Sequence, residues 1–291
     1  MRWLRLAVPV LLLAVLWHVA DGERALARLR QADLAWLMVA LVALHMQTVL
    51  SALRWRHVAD ALGQPMARGH AVQEYYVAQV VNQTLPGGVV GDGARALRAA
   101  APGALPAAMA AVVLERAMGQ LALLVVLGVG IGLSSTTGHM IWPQGLLPVL
   151  AVGAVGLAIA AILVGRAKGV GQLVRPVFAH PGQVARLAML SLAIVALNLA
   201  SFATTARATG TPLPPEAILT LIPLILTAML VPLTIGGWGW REGAAAALFP
   251  LAGATPDAGL IASATYGLLI LTAALPGVFW LARPQLRPPD A

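Results

Sequence analysis

Residues 106–133 read PAAMAAVVLERAMGQLALLVVLGVGIGL, and the only ionisable side chains in this stretch are Glu115 and Arg116. About 20 apolar residues are enough to cross the hydrocarbon core of a bilayer as a helix. A charge at the centre of such a helix costs about 2.5–3.5 kcal/mol even on the lenient insertion scale, so charged residues there usually face a cavity or a partner. The stretch therefore predicts a membrane-spanning helix with a polar centre turned away from lipid.

The rest of the chain has the same character. Of its 291 residues, 59% are hydrophobic and 10% are charged, whereas soluble domains carry roughly 25% charged residues. Five further apolar stretches are long enough to span, at 6–20, 34–53, 146–165, 187–205 and 258–281. We interpret the first as an uncleaved anchor, because no small-x-small cleavage site directly follows it. The sequence predicts an all-α polytopic membrane protein with about six full transmembrane helices, forming a single integral membrane domain over residues 1–291.

Two other apolar regions, 71–99 and 215–253, are interrupted by Pro and Gly. Their centres read LPGGVVGDGAR at 85–95 and VPLTIGGWGWREG at 231–243, so each has Pro, a Gly pair, another Gly and then charge. Such interruptions at matching places in two halves point to a transport site. We predict two broken, re-entrant helix pairs in an inverted repeat, with halves at about 34–165 and 187–283. The alternative is that the interruptions are ordinary loops joining short helices.

Lys and Arg in short loops predict the orientation, because they are retained on the cytoplasmic side. The positively charged segments assigned to the inside contain Arg54, Arg56, Arg68, Arg95, Arg98, Arg166, Lys168, Arg175, Arg186, Arg283 and Arg287. The loop 134–145 carries neither Lys nor Arg and is assigned to the outside. This pattern predicts a multi-pass protein of the cytoplasmic (inner) membrane with both termini in the cytoplasm, provided that each broken region enters and leaves by the same face.

The candidate residues for binding or transport are polar groups in or beside these spans: Asn82, Asp92, Arg95, Glu115, Arg116, Arg241 and Glu242. Adjacent helical residues do not face each other, so Glu115 and Arg116 are expected to have separate partners. We hypothesise crossed pairing of this motif with Arg241 and Glu242 or with Asp92 and Arg95, some groups being released to bind an anionic headgroup. The alternative is a purely structural ion-pair network.

Backbone-shaping roles are assigned to the Pro and Gly residues of the two interruptions, namely Pro86, Gly87, Gly88, Gly91, Gly236, Gly237 and Gly239. Glycine permits close approach of the backbone and unusual turns. Asn82 precedes the first interruption, where its amide is expected either to satisfy the loop or to face the substrate.

Residue types and spacing argue against several classes of function. The chain has no Cys, its six His residues show no metal-ligand spacing, and it has neither a phosphate-binding loop nor a nucleophile elbow. We therefore expect no catalytic residues, no metal and no cofactor. The net charge of +8 is scattered between apolar runs, which favours anionic lipid as a neighbour and disfavours nucleic acid.

Three ordered motifs, Asn82 to Arg95, Glu115-Arg116 with Gly119, and Gly236 to Glu242, resemble the flippase-like family typified by the transmembrane domain of lysylphosphatidylglycerol synthase. The resemblance covers about residues 34–283. It implies a lipid flippase-like transporter for a lipid with an anionic or otherwise polar headgroup, of phospholipid, glycolipid or polyprenyl-phosphate type. The soluble aminoacyltransferase domain of the bifunctional members is missing from this chain, so the resemblance implies transport without synthase activity.

Two alternatives belong to other classes of function. The protein could be a non-catalytic accessory subunit of a lipid-modifying glycosyltransferase system, with the charged motifs acting as packing locks. It could also be an intramembrane transferase that acts on a lipid, in which case Asp92, Glu115 and Glu242 are the available acid–base groups. Co-purification with an enzyme would favour the first alternative, and turnover by the isolated protein would favour the second.

Overall fold

The computed structural model describes residues 30–85, 88–137, 169–229 and 236–281. Across these ranges the chain is helical and contains no β-strand. The helices are α1 (Leu34–Ala61), α2 (Arg68–Thr84), α3 (Val90–Ala99), α4 (Leu105–Thr137), α5 (Val170–Val174), α6 (Pro181–Ala208), α7 (Pro215–Ala228), α8 (Trp240–Leu248) and α9 (Pro256–Leu281). Short 3₁₀ turns follow α5 and α8, at Arg175–Phe178 and Phe249–Ala252.

Helices α1, α4, α6 and α9 are long and apolar enough to cross a membrane. They correspond to four of the predicted spans, so the predicted all-α polytopic membrane fold is confirmed. The other two predicted spans, 6–20 and 146–165, lie outside the described residues. The total of six spans and the limits of the single domain therefore stay predictions.

Each interrupted region forms two helices with a break between them. Helices α2 and α3 pack against each other around the first break, and α7 and α8 do so around the second. Residues 86–87 and 230–235, in the middle of the breaks, lie outside the described residues. The helices on either side agree with the predicted half-helices of 71–99 and 215–253.

Helices α1 and α6 run antiparallel in contact along their length. The Asp33 N–H, just before α1, donates to the Ala208 carbonyl at the end of α6 at 2.9 Å. Further along the pair, Ser201 Oγ donates to the Ala40 carbonyl at 3.0 Å. Each helix precedes a broken pair, and their opposite directions are what the predicted inverted repeat requires; the division into two halves stays a prediction.

Each broken pair packs one of its helices against a long helix of the other half. Helix α2 packs on α9, and α7 packs on α4. At both contacts a glycine meets the facing backbone: a Cβ at Gly277 would lie 2.2 Å from the Tyr76 carbonyl oxygen, and one at Gly130 would lie 2.5 Å from that of Leu219. The two halves therefore pack together through two equivalent contacts, α2 on α9 and α7 on α4.

Two apolar clusters hold these helices in place. In the larger, Phe202 of α6 packs against Phe249 with ring centroids 6.4 Å apart and against Tyr266 of α9 at 5.0 Å. The smaller surrounds Trp55 and Val58 of α1 and includes residues from α2, α3 and α4. Tyr266 and Trp55 also contact arginine side chains, so the clusters position the charged groups described next.

Candidate functional site

A cavity of about 490 Å³ lies between the two halves. Its walls come from α1, α2, α3 and α4 of the first half and from α6, α7 and α9 of the second. Gly88 from the first break and Gly236 and Gly237 from the second also line it. This volume falls within the roughly 300–1,000 Å³ typical of small-molecule sites.

Glu115 lies on α4 beside the cavity and is completely buried. Its carboxylate accepts hydrogen bonds from Arg54 Nη2 at 2.5 Å, from Arg95 Nη2 at 2.9 Å and from the Tyr75 hydroxyl at 3.3 Å. Hydrogen bonds between ionised groups are stronger than neutral ones. Two guanidinium groups therefore hold the charge of this carboxylate inside an apolar helix.

Asp92 lies in the first turn of α3, where the helix dipole favours a negative charge. It accepts from Arg95 Nε at 3.0 Å, from Asn82 Nδ2 at 3.2 Å and from the guanidinium of Arg116. Asn82 Oδ1 in turn accepts from the Gly91 N–H at 2.8 Å. Asn82 thus ties the end of α2 to the start of α3 and also lines the cavity, so its position fits both of the roles expected for it.

Arg95 is completely buried between two aromatic rings. Its guanidinium carbon lies 4.6 Å from the centroid of the Trp55 ring and 4.5 Å from that of Tyr75. Desolvated cation–π contacts of this kind contribute about 2 kcal/mol. Arg95 is therefore a buried cation that joins α3 to the aromatic residues of α1 and α2, and the cytoplasmic orientation of its segment stays a prediction.

Arg54 was also assigned to a cytoplasmic loop, and that assignment is wrong. Helix α1 continues to Ala61, so Arg54 lies within it and is 3% exposed. Its Nη1 donates to Ser191 Oγ of α6 at 2.9 Å while Nη2 binds Glu115. A Cβ at Gly119 would lie 3.2 Å from Nη2, so this glycine makes room for the guanidinium.

Together these groups form the central ion cluster, which consists of Arg54, Asp92, Arg95, Glu115 and Arg116. It contains three guanidinium groups and two carboxylates, which leaves an excess of one positive charge. Arg116 lines the cavity and its side chain is 47% exposed. Arg54 and Arg95 are buried, so Arg116, although paired with Asp92, is the cation of this cluster that can contact a ligand in the cavity.

The second half holds a separate group, which we call the second-half cluster: Arg241, Glu242 and Ser263. Arg241 Nη2 donates to Glu242 Oε1 at 2.5 Å, and Arg241 Nε donates to Ser263 Oγ at 3.0 Å. Glu242 Oε2 accepts from the Gly239 N–H at 2.6 Å, capping the start of α8. Arg241 and Glu242 are completely buried and are not among the residues that line the cavity.

Two sets of partners were hypothesised for Glu115 and Arg116, and the structure shows one of them. Glu115 pairs with Arg95, and Arg116 pairs with Asp92, as the second alternative had it. Among the described residues no ion pair joins this motif to Arg241 or Glu242. Glu115 and Arg116 have separate partners, as expected for adjacent residues on a helix. Arg241 and Glu242 are also adjacent, but their long side chains reach each other and form an ion pair.

The glycines of the two interruptions differ in what they do. Gly91 permits the closest approach, because a Cβ there would lie 2.1 Å from the Ala78 carbonyl oxygen. Gly236 has a φ of +56°, and a Cβ on it would lie 2.3 Å from Gln83 Oε1, so the second break touches α2 at the cavity. Positive φ angles also occur at Gly88, Gly237 and Gly239. Pro86 and Gly87 lie outside the described residues.

Sequence reasoning missed several residues that line the cavity, above all amide side chains. They are Gln47, Gln79, Gln120 and Asn198; Gln83, which also lines the cavity, belongs to the first of the three motifs. One signal was available: Gln120 follows Arg116 by four residues and so lies on the same face of α4.

The chain was then compared with known proteins. A comparison with curated proteins finds no match. The family model described as Lysylphosphatidylglycerol synthase TM region matches residues 2–277, which confirms the resemblance carried by the three motifs. The match covers nearly the whole chain, and the helical membrane architecture agrees with it. This protein belongs to the lysylphosphatidylglycerol synthase TM region family.

Proposed function

We propose that this protein is a flippase-like transporter that moves a lipid with an anionic or otherwise polar headgroup across the cytoplasmic membrane. The observation that carries the proposal is the cavity between the halves, with its accessible, net positive ion cluster. A polar headgroup cannot cross the hydrocarbon core without polar partners. The cavity offers such partners at one side of α4, while the acyl chains stay in lipid.

The two broken helix pairs support the same proposal. Broken helices in corresponding positions of inverted halves are typical of transport sites, where free backbone groups meet the substrate. Here both breaks reach the cavity, through Gly88 on one side and Gly236 on the other. A rearrangement at either break would therefore change access to the cavity directly.

The proposal has three further parts. The protein acts as a carrier and not as an enzyme, it needs no cofactor, and it lies in the inner membrane with both termini in the cytoplasm. Its partner is the lipid substrate, and an enzyme that modifies the same lipid is a second partner class. Movement would be driven by a gradient, by proton coupling through the carboxylates, or by removal of the lipid downstream.

Replacing Arg116 by Gln is expected to slow transport of an anionic lipid by about tenfold or more, because a hydrogen bond to a charged group contributes about 1.5–3 kcal/mol. Asp92 keeps Arg95 and Asn82 as partners, so the fold should survive. The measurement is the rate at which acyl-labelled fluorescent phosphatidylglycerol becomes accessible to an impermeant quencher in liposomes that contain the purified protein.

The matched control is Arg207→Gln. Arg207 is exposed at the end of α6, stacks on Trp36 at 4.5 Å and does not line the cavity. It should transport at the wild-type rate. An Arg116→Gln protein that is monodisperse and equally fast would refute the assignment of the anion to Arg116.

The accessory-subunit role remains the competing function, and one observation favours it. Glu115 and Arg95 are fully buried and engaged with each other, as a packing lock would require. Wild-type protein that is folded, moves no lipid and co-purifies with a glycosyltransferase would favour that role over the transporter.

The orientation can be tested by single-cysteine labelling, because the chain has no native Cys. A cysteine at position 135 should react with an impermeant maleimide in intact cells, and one at position 171 should react only after lysis. The loop charges predict this order, since 134–145 lacks Lys and Arg while 166–186 is rich in them. Reversed labelling would overturn the proposed orientation.

A further inference from the structure

Several of the side chains that line the cavity are uncharged amides. These side chains come from four helices: Gln47 on α1, Gln79 and Gln83 on α2, Gln120 on α4 and Asn198 on α6. Gln47 and Gln79 have hydroxyl partners, with Gln47 Nε2 donating to Ser51 Oγ at 3.1 Å and Gln79 Oε1 accepting from Thr48 Oγ1 at 3.2 Å. The cavity thus combines one accessible positive charge with a concentration of neutral hydrogen-bonding groups.

Three of the amides have no such partner. Within the described residues, Gln83, Gln120 and Asn198 make no hydrogen bond to another part of the chain, and all three are half-buried at the cavity. An amide removed from water costs free energy unless a partner is supplied. These three come from different helices and line the same cavity, so their amides are available to a ligand that enters it.

The chemistry of the amide indicates what that occupant carries. A carboxamide both donates and accepts hydrogen bonds and has no charge, which matches a hydroxyl group. An ammonium group would instead require a free carboxylate. The two carboxylates at the cavity, Asp92 and Glu115, are each bound by two guanidinium groups. The site therefore suits hydroxyls and disfavours cationic headgroups.

The spacing on α4 sets the scale of the ligand. Arg116 and Gln120 are four residues apart, which places their Cβ atoms about 5–6 Å from each other on one helix face. A phosphate that contacts Arg116 would present the hydroxyls of a short attached polyol to Gln120 and, across the cavity, to Asn198.

We propose that the cavity recognises a polyol phosphate ester, with its phosphate at Arg116 and its hydroxyls at Gln83, Gln120 and Asn198. This inference rests on the proposed function, since it takes the ester to be the headgroup of a membrane lipid. It narrows the substrate to anionic lipids whose headgroups carry free hydroxyls and no ammonium group.

The decisive experiment compares two probes of equal charge and similar headgroup size. Acyl-labelled phosphatidylglycerol carries two headgroup hydroxyls, and acyl-labelled phosphatidylpropanol carries none. In liposomes with the full-length wild-type protein, phosphatidylglycerol should move about tenfold faster. The Gln120→Leu/Asn198→Leu protein should move both at one rate. Gln73→Leu on α2, which is exposed and does not line the cavity, should keep the wild-type preference.

A binding measurement separates this inference from the transport function. In detergent, short-chain phosphatidylglycerol should raise the unfolding temperature of the wild-type protein more than short-chain phosphatidylpropanol, and the difference should vanish in Asn198→Leu. Transport of both probes at equal rates would overturn the inference and leave the transporter intact. Failure of both lipids to move, with the binding preference present, would overturn the transporter and leave the recognition. Stabilisation by free glycerol phosphate but by neither lipid would overturn the lipid assignment.

Discussion

Replacing Glu115 by Gln is expected to lower the free energy of unfolding by about 3–5 kcal/mol, because it leaves buried positive charge without its counter-charge. Glu115 is completely buried and is the shared acceptor for Arg54 and Arg95. The amide would lose both ion pairs while keeping nearly the same volume. The measurement is thermal or denaturant unfolding of the purified protein in detergent.

A matched control is Glu216→Gln. Glu216 lies partly exposed in the first turn of α7, where a carboxylate contributes about 0.3–1 kcal/mol through the helix dipole. Removing one cation as well, in the Arg54→Gln/Glu115→Gln protein, should recover part of the lost stability, because the two sites share one network. An unfolding midpoint for Glu115→Gln that equals the wild-type value would contradict this account of the cluster.

Replacing Gly277 or Gly130 by Ala is expected to cost about 1–3 kcal/mol, the usual range for overpacking. A Cβ at Gly277 would lie 2.2 Å from the Tyr76 carbonyl oxygen, and one at Gly130 would lie 2.5 Å from that of Leu219. Both neighbours are backbone atoms of a facing helix, so a whole helix must move. The same unfolding measurement in detergent reports the loss.

Gly128 lies on α4, as Gly130 does, but replacing it by Ala is expected to have the opposite effect on stability. A Cβ there would have no atom within 4 Å, and Ala is favoured over Gly inside a helix by about 0.5–1 kcal/mol. We therefore expect Gly128→Ala to be neutral or stabilising while Gly130→Ala is destabilising. Equal changes for the two variants would show that the α4–α7 contact is not tight.

Hydropathy and the positions of Pro and Gly were sufficient to predict the helices. The four described spans lie where the apolar runs lie, and the two interruptions fall between the half-helices, because length and composition dominate in a bilayer. Helix ends were less accurate. The apolar run at 34–53 stops well before α1 does, because a helix can continue through Arg54 and Trp55 once both are buried by protein.

Contacts between segments that are distant in the sequence also explain which residues of the site the sequence did not predict. Glu115 was identified because a charge in an apolar run needs a partner, and Asp92 and Arg95 were named as candidates. Arg54 was counted as a loop cation, since nothing local shows that α6 would bring Ser191 against it. The stacking of Arg95 on Trp55 and Tyr75 depends in the same way on packing between distant segments.

The antiparallel packing of α1 and α6 has a consequence for biogenesis. Because α1 and α6 lie in contact in opposite directions, the two helices must cross the membrane in opposite senses. The direction of one helix therefore fixes that of the other, and the charges that flank the helices bias the direction of the pair. Arginines at the helix ends, such as Arg56 in the last two turns of α1 and Arg68 at the first residue of α2, are expected to set that direction. Moving such charges to the opposite helix ends is expected to reverse α1 and α6 together, since neither can turn over alone without losing their shared contact.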